Sequence, residues 1–274
     1  MGNYEILKRK MIDAAKSSNV KLLMIIGSYA RKTDFADKYS DIDFIIVTDE
    51  PDGWLYGEIP KKLGDMKISF IEPTLGGGVE RRGVYDDYLD VDMVVLTEAQ
   101  FRGALAEGVI SHVAGRGYQV LYDTADLASV LPDIQERKSY HPSMSEADFT
   151  NMVNDFYFHV IWATKKLCRG ELWSAKMNID AYLKNYLLKM IEQYCDTKYK
   201  CDVWHDGRFL DKWADDDIKS KLIDCFAHYD FEDMKKALDA TEKLFARLAG
   251  EIAKMLGYEY PDEVQKYAEE FKTR

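Results

Sequence analysis

The sequence predicts an α+β protein in which an N-terminal domain containing a β-sheet precedes a C-terminal helical bundle. Strands are indicated in the first half by short apolar or alternating runs at residues 22–26, 42–47 and 91–95. In the second half the strand pattern is absent, and apolar side chains recur at helical spacing over residues 148–168, 172–194, 215–226 and 231–256. A polar, proline-containing stretch at residues 132–145 separates the halves, so we expect domains over residues 1–135 and 136–274.

The remaining elements follow from the same patterns. We expect a helix over residues 4–17, a partly helical loop at 54–63, a strand at 67–71, a helix at 97–107, a strand ending at 122 and a last helix after Pro261. Residues 73–83 include a Gly-Gly-Gly run, and we interpret them as a flexible connection or a hairpin tip. The alternative is a phosphate-binding loop. Such a loop requires a Lys-Ser or Lys-Thr pair directly after the glycines, and no such pair follows this glycine run.

The composition is that of a globular protein with an acidic balance. The chain has 274 residues, 47% of them hydrophobic, and a net charge of -11. This charge argues against non-specific nucleic-acid binding, which needs a basic surface. The N-terminal MGNYEILKRK has no apolar stretch behind it, no run of about 18 apolar residues suggests a membrane span, and the four cysteines form no CxxC pair. We therefore expect a cytoplasmic protein with reduced thiols.

The most informative stretch is LLMIIGSYARKTDFADKYSDIDFIIV, at residues 22–47. Asp41 and Asp43 flank Ile42 where the second strand begins, and alternation along a strand directs both carboxylates to the same side. Two neighbouring carboxylates repel each other unless a cation lies between them, and Mg²⁺ prefers such oxygen ligands. These residues predict a magnesium site.

Gly27 and Ser28, which end the first strand, predict a phosphate-binding turn. Glycine lets the backbone approach a ligand closely. We expect Ser28 to cap a short helix over residues 29–32, whose free N–H groups suit a phosphate.

Asp92 is a third candidate carboxylate. A lone acid in a strand is usually solvated, but Val94 and Leu96 continue its face, so we expect Asp92 to point toward a covered surface. Asp90, two residues before Asp92, lies on the same face of the strand and closer to the start of the strand. We interpret Asp92 as functional.

Four segments of the chain resemble the aminoglycoside 6-adenylyltransferases, streptomycin-modifying members of the nucleotidyltransferase superfamily related to DNA polymerase β. They fall in the same order over most of the chain and read GSYARKTDFADKYSDIDF, YDDYLDVDMVVL, KKLCRGELWSA and LFARLAGEIAKMLGYEYPD. The resemblance implies a nucleotidyltransferase domain with a mixed β-sheet flanked by helices, followed by a helical substrate-binding domain. It also implies Mg²⁺-dependent transfer of AMP from ATP to a hydroxyl of a streptomycin-like aminoglycoside.

The resemblance further implies roles for the acidic and phosphate-binding residues. Gly27 and Ser28 would hold the triphosphate, and Asp41 and Asp43 would bind Mg²⁺. Asp92 matches the third acidic position of the family, where it would be either a metal ligand or the general base.

Two basic residues are expected to contact the nucleotide by the same resemblance. Lys165 matches a family lysine that meets phosphate from the helical domain, although a solvated helix face is an equal alternative. Arg31 stands two places beyond Tyr29, which occupies the position where the family has arginine.

The acceptor is less defined than the reaction, because residues 176–180 depart from the family pattern. Asp155, Glu171 and Asp180 are interpreted as acids that compensate for this difference or as plain exposed helix acids. The alternatives are a transferase acting on another small molecule or on a protein or tRNA hydroxyl, and a nucleotide-binding module without activity. The acidic charge argues against RNA and suits a cationic acceptor, whereas an inactive module would not need three clustered carboxylates.

Overall fold

The structure, a computed structural model, describes residues 2–31, 36–74, 78–133, 144–203 and 206–273. Its contacts divide the chain into two compact units, Met1–Lys138 and Ser139–Arg274. The boundary predicted between residues 135 and 136 lies within 134–143, outside the described residues. Each helix in the described ranges is too short or too polar to cross a lipid bilayer.

The first unit is built on a mixed sheet. Its strands are β1 (Val20–Ile26), β2 (Ile42–Thr48), β3 (Met66–Pro73), β4 (Val79–Tyr85), β5 (Leu89–Leu96) and β6 (Gln119–Asp123), in the spatial order β3-β4-β5-β2-β1-β6. Strands β2 and β5 run parallel, and the other neighbouring pairs are antiparallel. The helices are α1 (Gly2–Ser17), α2 (Pro51–Leu55), α3 (Ile59–Leu63), α4 (Glu98–Ala106) and α5 (Val109–Ala114). The expected mixed sheet flanked by helices is confirmed.

The two faces of the sheet contact different helices. Residues such as Ile25, Phe44 and Met93 form one core cluster with α1, α2 and α3. On the other face, α4 and α5 pack with Ile45 and Val47, in the later part of β2. Asp43 belongs to this second face by alternation, but it stands at the opposite end of the strand, nearer the edge of the helix-covered region.

The second unit is helical, as predicted. Its helices are α6 (Glu146–Cys168), α7 (Leu172–Met177), α8 (Leu183–Tyr199), α9 (Leu210–Trp213), α10 (Asp216–Leu222), α11 (Phe231–Leu256) and α12 (Asp262–Thr273). The predicted bounds of α11 match the observed ones because the residues that cap its two ends are adjacent to it in the sequence. Asp230 accepts a hydrogen bond from the Asp233 N–H at 3.0 Å at the start, and Gly257 has φ 73° at the end.

The sequence predicts a flexible connection or a hairpin tip at residues 73–83. The stretch does join the antiparallel hairpin of β3 and β4, but it is shorter than predicted, because residues 79–83 belong to β4. Gly76 and Gly77 lie outside the described residues. The strand carries Arg81 at a buried position, where an apolar residue would have signalled a strand. Its guanidinium donates to Ser69 Oγ at 2.9 Å and to the carbonyl oxygens of Leu55 and Gly57, each at 3.1 Å. These acceptors lie elsewhere in the sequence, so local pattern does not reveal them.

The single helix predicted over residues 172–194 is interrupted. A π-helical turn, Asn178–Tyr182, separates α7 from α8. Beside it, the buried Lys184 Nζ donates to the Ile179 carbonyl at 2.9 Å and to Thr241 Oγ1 of α11 at 2.8 Å. The π-helical turn occurs where Lys184 contacts α11. The spacing of apolar residues along the chain does not reveal this contact and therefore does not predict the turn.

We expect Lys184 to make stability depend on pH. Burial lowers its pKa from 10.5 to about 8. Since the unfolded chain then binds a proton that the folded chain releases, Lys184 contributes stability above pH 10.5 that is lost as the pH falls through 8. The unfolding free energy of the wild type, relative to Lys184→Met, should rise by about 1–3 kcal/mol between pH 8 and 10. Denaturant titrations at several pH values measure this difference. Lys189→Met, on the exposed side of the same helix, is the control, and parallel wild-type and Lys184→Met curves would contradict the assignment.

Candidate functional site

Strand pairing brings together the three predicted aspartates. Asp43 in β2 and Asp92 in β5 are direct partners in the parallel register, and Asp41 stands one residue before β2. One carboxylate oxygen from each residue lies within 4.8 Å of the others. Asp41 is exposed, Asp43 is half-buried and Asp92 is 6% exposed. The cluster opens to solvent on the Asp41 side.

The electrostatics of the cluster favour a bound cation. Burial, followed by the charges of Asp41 and Asp92, raises the pKa of Asp43 to about 7, while the charges of Arg31 and Arg82 oppose this rise. Burial also raises the pKa of Asp92, against the charge of Arg82. Three converging carboxylate oxygens form the hard donor set that Mg²⁺ takes. A divalent cation would offset the repulsion, so the residues fit the expected metal.

Glycine is required at position 27 because the turn after β1 lies very close to the cluster of three aspartates. Its φ is 71°, and a Cβ at this position would lie 2.1 Å from Asp43 Oδ2. Residue Ile26 pairs with Asp43 across β1 and β2, which places the turn directly beside the carboxylate. No other residue type fits here without displacing Asp43.

The expected capping role of Ser28 is wrong. Ser28 lies inside a 3-10 turn, Gly27–Tyr29, that is closed by the Ala30 N–H donating to the Gly27 carbonyl at 3.2 Å. Part of the predicted 29–32 helix, Lys32, lies outside the described residues. Ser28 Oγ is buried and finds no hydrogen-bond partner among the described residues. A buried hydroxyl without a partner costs free energy unless a ligand satisfies it, which is consistent with a phosphate oxygen binding there.

The two basic candidates have different surroundings. Arg31 is half-buried after the turn, and its charge acts on Asp43. The backbone there is tightly packed, since a Cβ on Gly117 would lie 2.6 Å from the Ala30 carbonyl oxygen. Lys165 belongs to the second unit, where it is exposed on α6 with Nζ 5.3 Å from the ring centre of Phe271. Its phosphate contact stays a prediction.

Arg82 is a site residue that sequence reasoning missed. It pairs with Asp92 across β4 and β5, and its Nη2 lies 2.7 Å from Asp92 Oδ2. The same guanidinium lies 3.2 Å from Glu72 Oε1 and from Glu80 Oε1. Burial raises the pKa of Glu80 to about 7, against the charge of Arg82. The alternation of Glu80 and Arg82 was an available signal, but residues 79–83 were not recognised as a strand.

Comparisons with known proteins identify the family to which the chain belongs. The family model described as streptomycin adenylyltransferase matches residues 1–274. An aminoglycoside 6-adenylyltransferase from Campylobacter jejuni is 22% identical over 261 residues, which cover 90% of this chain and 87% of the relative. Another from Staphylococcus aureus is 22% identical over 274 residues, covering 94% of this chain and 93% of the relative.

Solved structures were compared as well. A Bacillus subtilis aminoglycoside 6-adenyltransferase matches with a TM-score of 0.47 and 17% identity, covering 98% of each chain. A spectinomycin adenyltransferase from Enterococcus faecialis, solved with ATP and spectinomycin, matches with a TM-score of 0.32 and 13% identity, covering 99% of this chain and 97% of the other. The family model, which spans the whole chain, is the finding that decides the assignment. The protein therefore belongs to the streptomycin adenylyltransferase family and is a nucleotidyltransferase.

Proposed function

We propose that the protein transfers AMP from ATP to a hydroxyl of an aminoglycoside of the streptomycin type, in a Mg²⁺-dependent reaction. The observation that carries the proposal is the convergence of one carboxylate oxygen each from Asp41, Asp43 and Asp92 within 4.8 Å. Beside them lies a glycine turn whose buried Ser28 hydroxyl has no hydrogen-bond partner in the part of the chain that the structure describes. The names of the family and of the two curated relatives support the aminoglycoside acceptor.

Each part of the site has an assigned task. Asp41 and Asp43 would hold Mg²⁺, with Asp92 as a third ligand if it is not the base, and Mg²⁺ when bound offsets the charge of the triphosphate and of the transferred phosphoryl group. The Gly27-Ser28 turn brings backbone N–H groups and the Ser28 hydroxyl to the triphosphate. Arg31 would add a positive charge at the end of this turn.

The reaction requires one proton transfer and one exchange of bonds at phosphorus. The acceptor oxygen bonds to the α-phosphorus, the bond from that phosphorus to pyrophosphate breaks, and pyrophosphate leaves with the electron pair. The acceptor hydroxyl gives up its proton to a base. Asp92 has two roles open to it, metal ligand or base, and its Oδ2 lies 2.7 Å from Arg82 Nη2.

Incubation with ATP, Mg²⁺ and a panel containing streptomycin and spectinomycin tests the proposal. We expect mass spectrometry to detect streptomycin carrying one added AMP, together with released pyrophosphate. The adduct should require Mg²⁺ and should be absent when EDTA is added. A panel in which no aminoglycoside gains AMP, with a protein that still binds ATP, would overturn the assignment of the acceptor.

A further inference from the structure

The sheet face that carries the three aspartates continues into a part of β3 that exposes apolar side chains. Phe70 is 50% exposed and Ile68 is 60% exposed. Strand pairing places Phe70 opposite Arg82, Arg82 opposite Asp92, and Asp92 opposite Asp43. Because directly paired residues share a face, these four side chains form one row across the sheet. The exposed apolar surface is therefore continuous with the carboxylate cluster.

A second row lies next to the first and completes a concave site. Ile68 pairs with Val84, and Val84 pairs with Asp90. Three residues of the first row (Phe70, Arg82 and Asp92) and all of the second row, together with Asp41 and Gly83, line a cavity of about 230 Å³ in the first unit. Its floor is apolar on the β3 side and acidic on the Asp90 side. Ligand sites commonly combine an apolar surface with a few oriented polar groups, and this cavity has both.

The position of the cavity relative to the phosphate turn suggests which substrate it receives. In the strand order β3-β4-β5-β2-β1, the Gly27-Ser28 turn follows β1, on one side of Asp43. The cavity extends to the other side, from β5 toward β3. Since the attacking and leaving oxygens are roughly in line through phosphorus, the acceptor must approach from the side away from the pyrophosphate. The cavity lies on that side if the triphosphate occupies the turn.

We propose that the β3–β5 cavity is the acceptor subsite, in which Phe70 and Ile68 contact the C–H face of a sugar or cyclitol ring and Asp90 pairs with an ammonium or guanidinium group. This inference rests on the proposed function and deepens it by naming residues that determine acceptor specificity. Asp90 is exposed and has no pairing arginine at the position opposite to it, where Val84 stands. Asp92, in contrast, is already paired with Arg82 at 2.7 Å. A substrate cation is therefore directed to Asp90 rather than to Asp92.

Steady-state kinetics with streptomycin as the varied substrate test the subsite. We expect Phe70→Ala and Asp90→Asn each to raise the KM for streptomycin by about tenfold, the size expected for loss of one well-packed or charged contact. The KM for ATP should change by less than about twofold, because neither residue faces the phosphate turn. The effect of Asp90→Asn should also weaken in high salt, since it removes an exposed charge. Ile71→Ala is the matched control, because Ile71 is 37% exposed on the opposite face of the same strand; its KM values should equal those of the wild type.

The outcomes separate this inference from the proposed function. Wild-type KM values for streptomycin in both variants, with wild-type transfer intact, would overturn the subsite alone. Failure of the wild type to modify streptomycin at all would overturn the proposed function and this inference with it. Equal increases in the KM for ATP and for streptomycin would show a general disturbance of the sheet and would also overturn the subsite. Asp90→Asn keeps the test decisive if Phe70→Ala folds poorly, because Asp90 is an exposed polar residue.

Discussion

Replacing Asp43 by asparagine is expected to lower the rate of AMP transfer by at least about a thousandfold, which is the loss expected when a catalytic metal is no longer held. Asparagine keeps the shape of the side chain and removes the charge that the cation requires. Pyrophosphate release at saturating ATP and streptomycin measures the effect. Asp49→Asn, an exposed acid just beyond the far end of β2, is the control and should retain wild-type activity. Appreciable Mg²⁺-dependent turnover by Asp43→Asn would remove Asp43 from the metal site.

The same variant has a second readout that does not involve catalysis. Because the pKa of Asp43 is raised from 3.8 to about 7 in the folded protein, its favourable contribution to stability is fully present below 3.8 and is lost as the pH rises through 7. At pH 8 in EDTA, Asp43→Asn should therefore have a higher Tm than the wild type, and this advantage should shrink as the pH falls below 7 and disappear only below 3.8. Mg²⁺ at pH 8 should raise the Tm of the wild type and leave that of Asp43→Asn nearly unchanged. Identical responses of the two proteins to Mg²⁺ in thermal denaturation would contradict the site.

Gly27→Ala is expected to reduce AMP transfer by about a hundredfold or more, because small misplacements of reacting groups have effects of this size. The new methyl group would lie 2.1 Å from Asp43 Oδ2, and the φ of 71° is unfavourable for alanine. The carboxylate must rotate away, which weakens metal binding and disturbs the turn. Steady-state kinetics at increasing Mg²⁺ should show a higher Mg²⁺ requirement as well as a lower kcat.

Two further variants separate this collision from a general effect of removing glycine. The Cβ of Gly103→Ala, in α4, would meet no heavy atom of the described residues within 4 Å. This variant should keep full activity while gaining about 0.5–1 kcal/mol of stability from helix propensity. In the Asp43→Ala background the colliding oxygen is absent, so adding Gly27→Ala should cost less stability than it does in the wild type. Equal costs in the two backgrounds would show that strain at the turn, rather than contact with Asp43, limits position 27.

Local patterns identified the elements whose signals are contained in short stretches of sequence. The apolar runs of β1 and β2, the alternation of β5 and the capped stripe of α11 were all recognised. The sequence also indicated the glycine of the turn, Gly27. Strand alternation placed the carboxylates of Asp41 and Asp43 on one side. The sequence contains these features because period and capping are properties of neighbouring residues.

The features that the sequence did not predict depend on contacts between segments that are distant in the chain. Arg81 is buried in β4 only because Ser69, Leu55 and Gly57 supply its acceptors, so a charged sequence forms a strand that no apolar pattern indicates. Arg82 reaches Asp92 through the same strand pairing. The π-helical turn between α7 and α8 likewise accompanies a contact from Lys184 to Thr241 in another helix.

By itself, the sequence determined the kind of chemistry, because Gly27, Ser28, Asp41, Asp43 and Asp92 are local motifs with recognisable spacing. It did not determine the acceptor side of the site. Only the tertiary structure placed β3 and β4 beside β5, and with them Arg82 against Asp92 and Phe70 in the same row. The physical reason is that a motif is read along the chain, whereas a substrate cavity is formed by side chains that strand pairing brings together from separate segments.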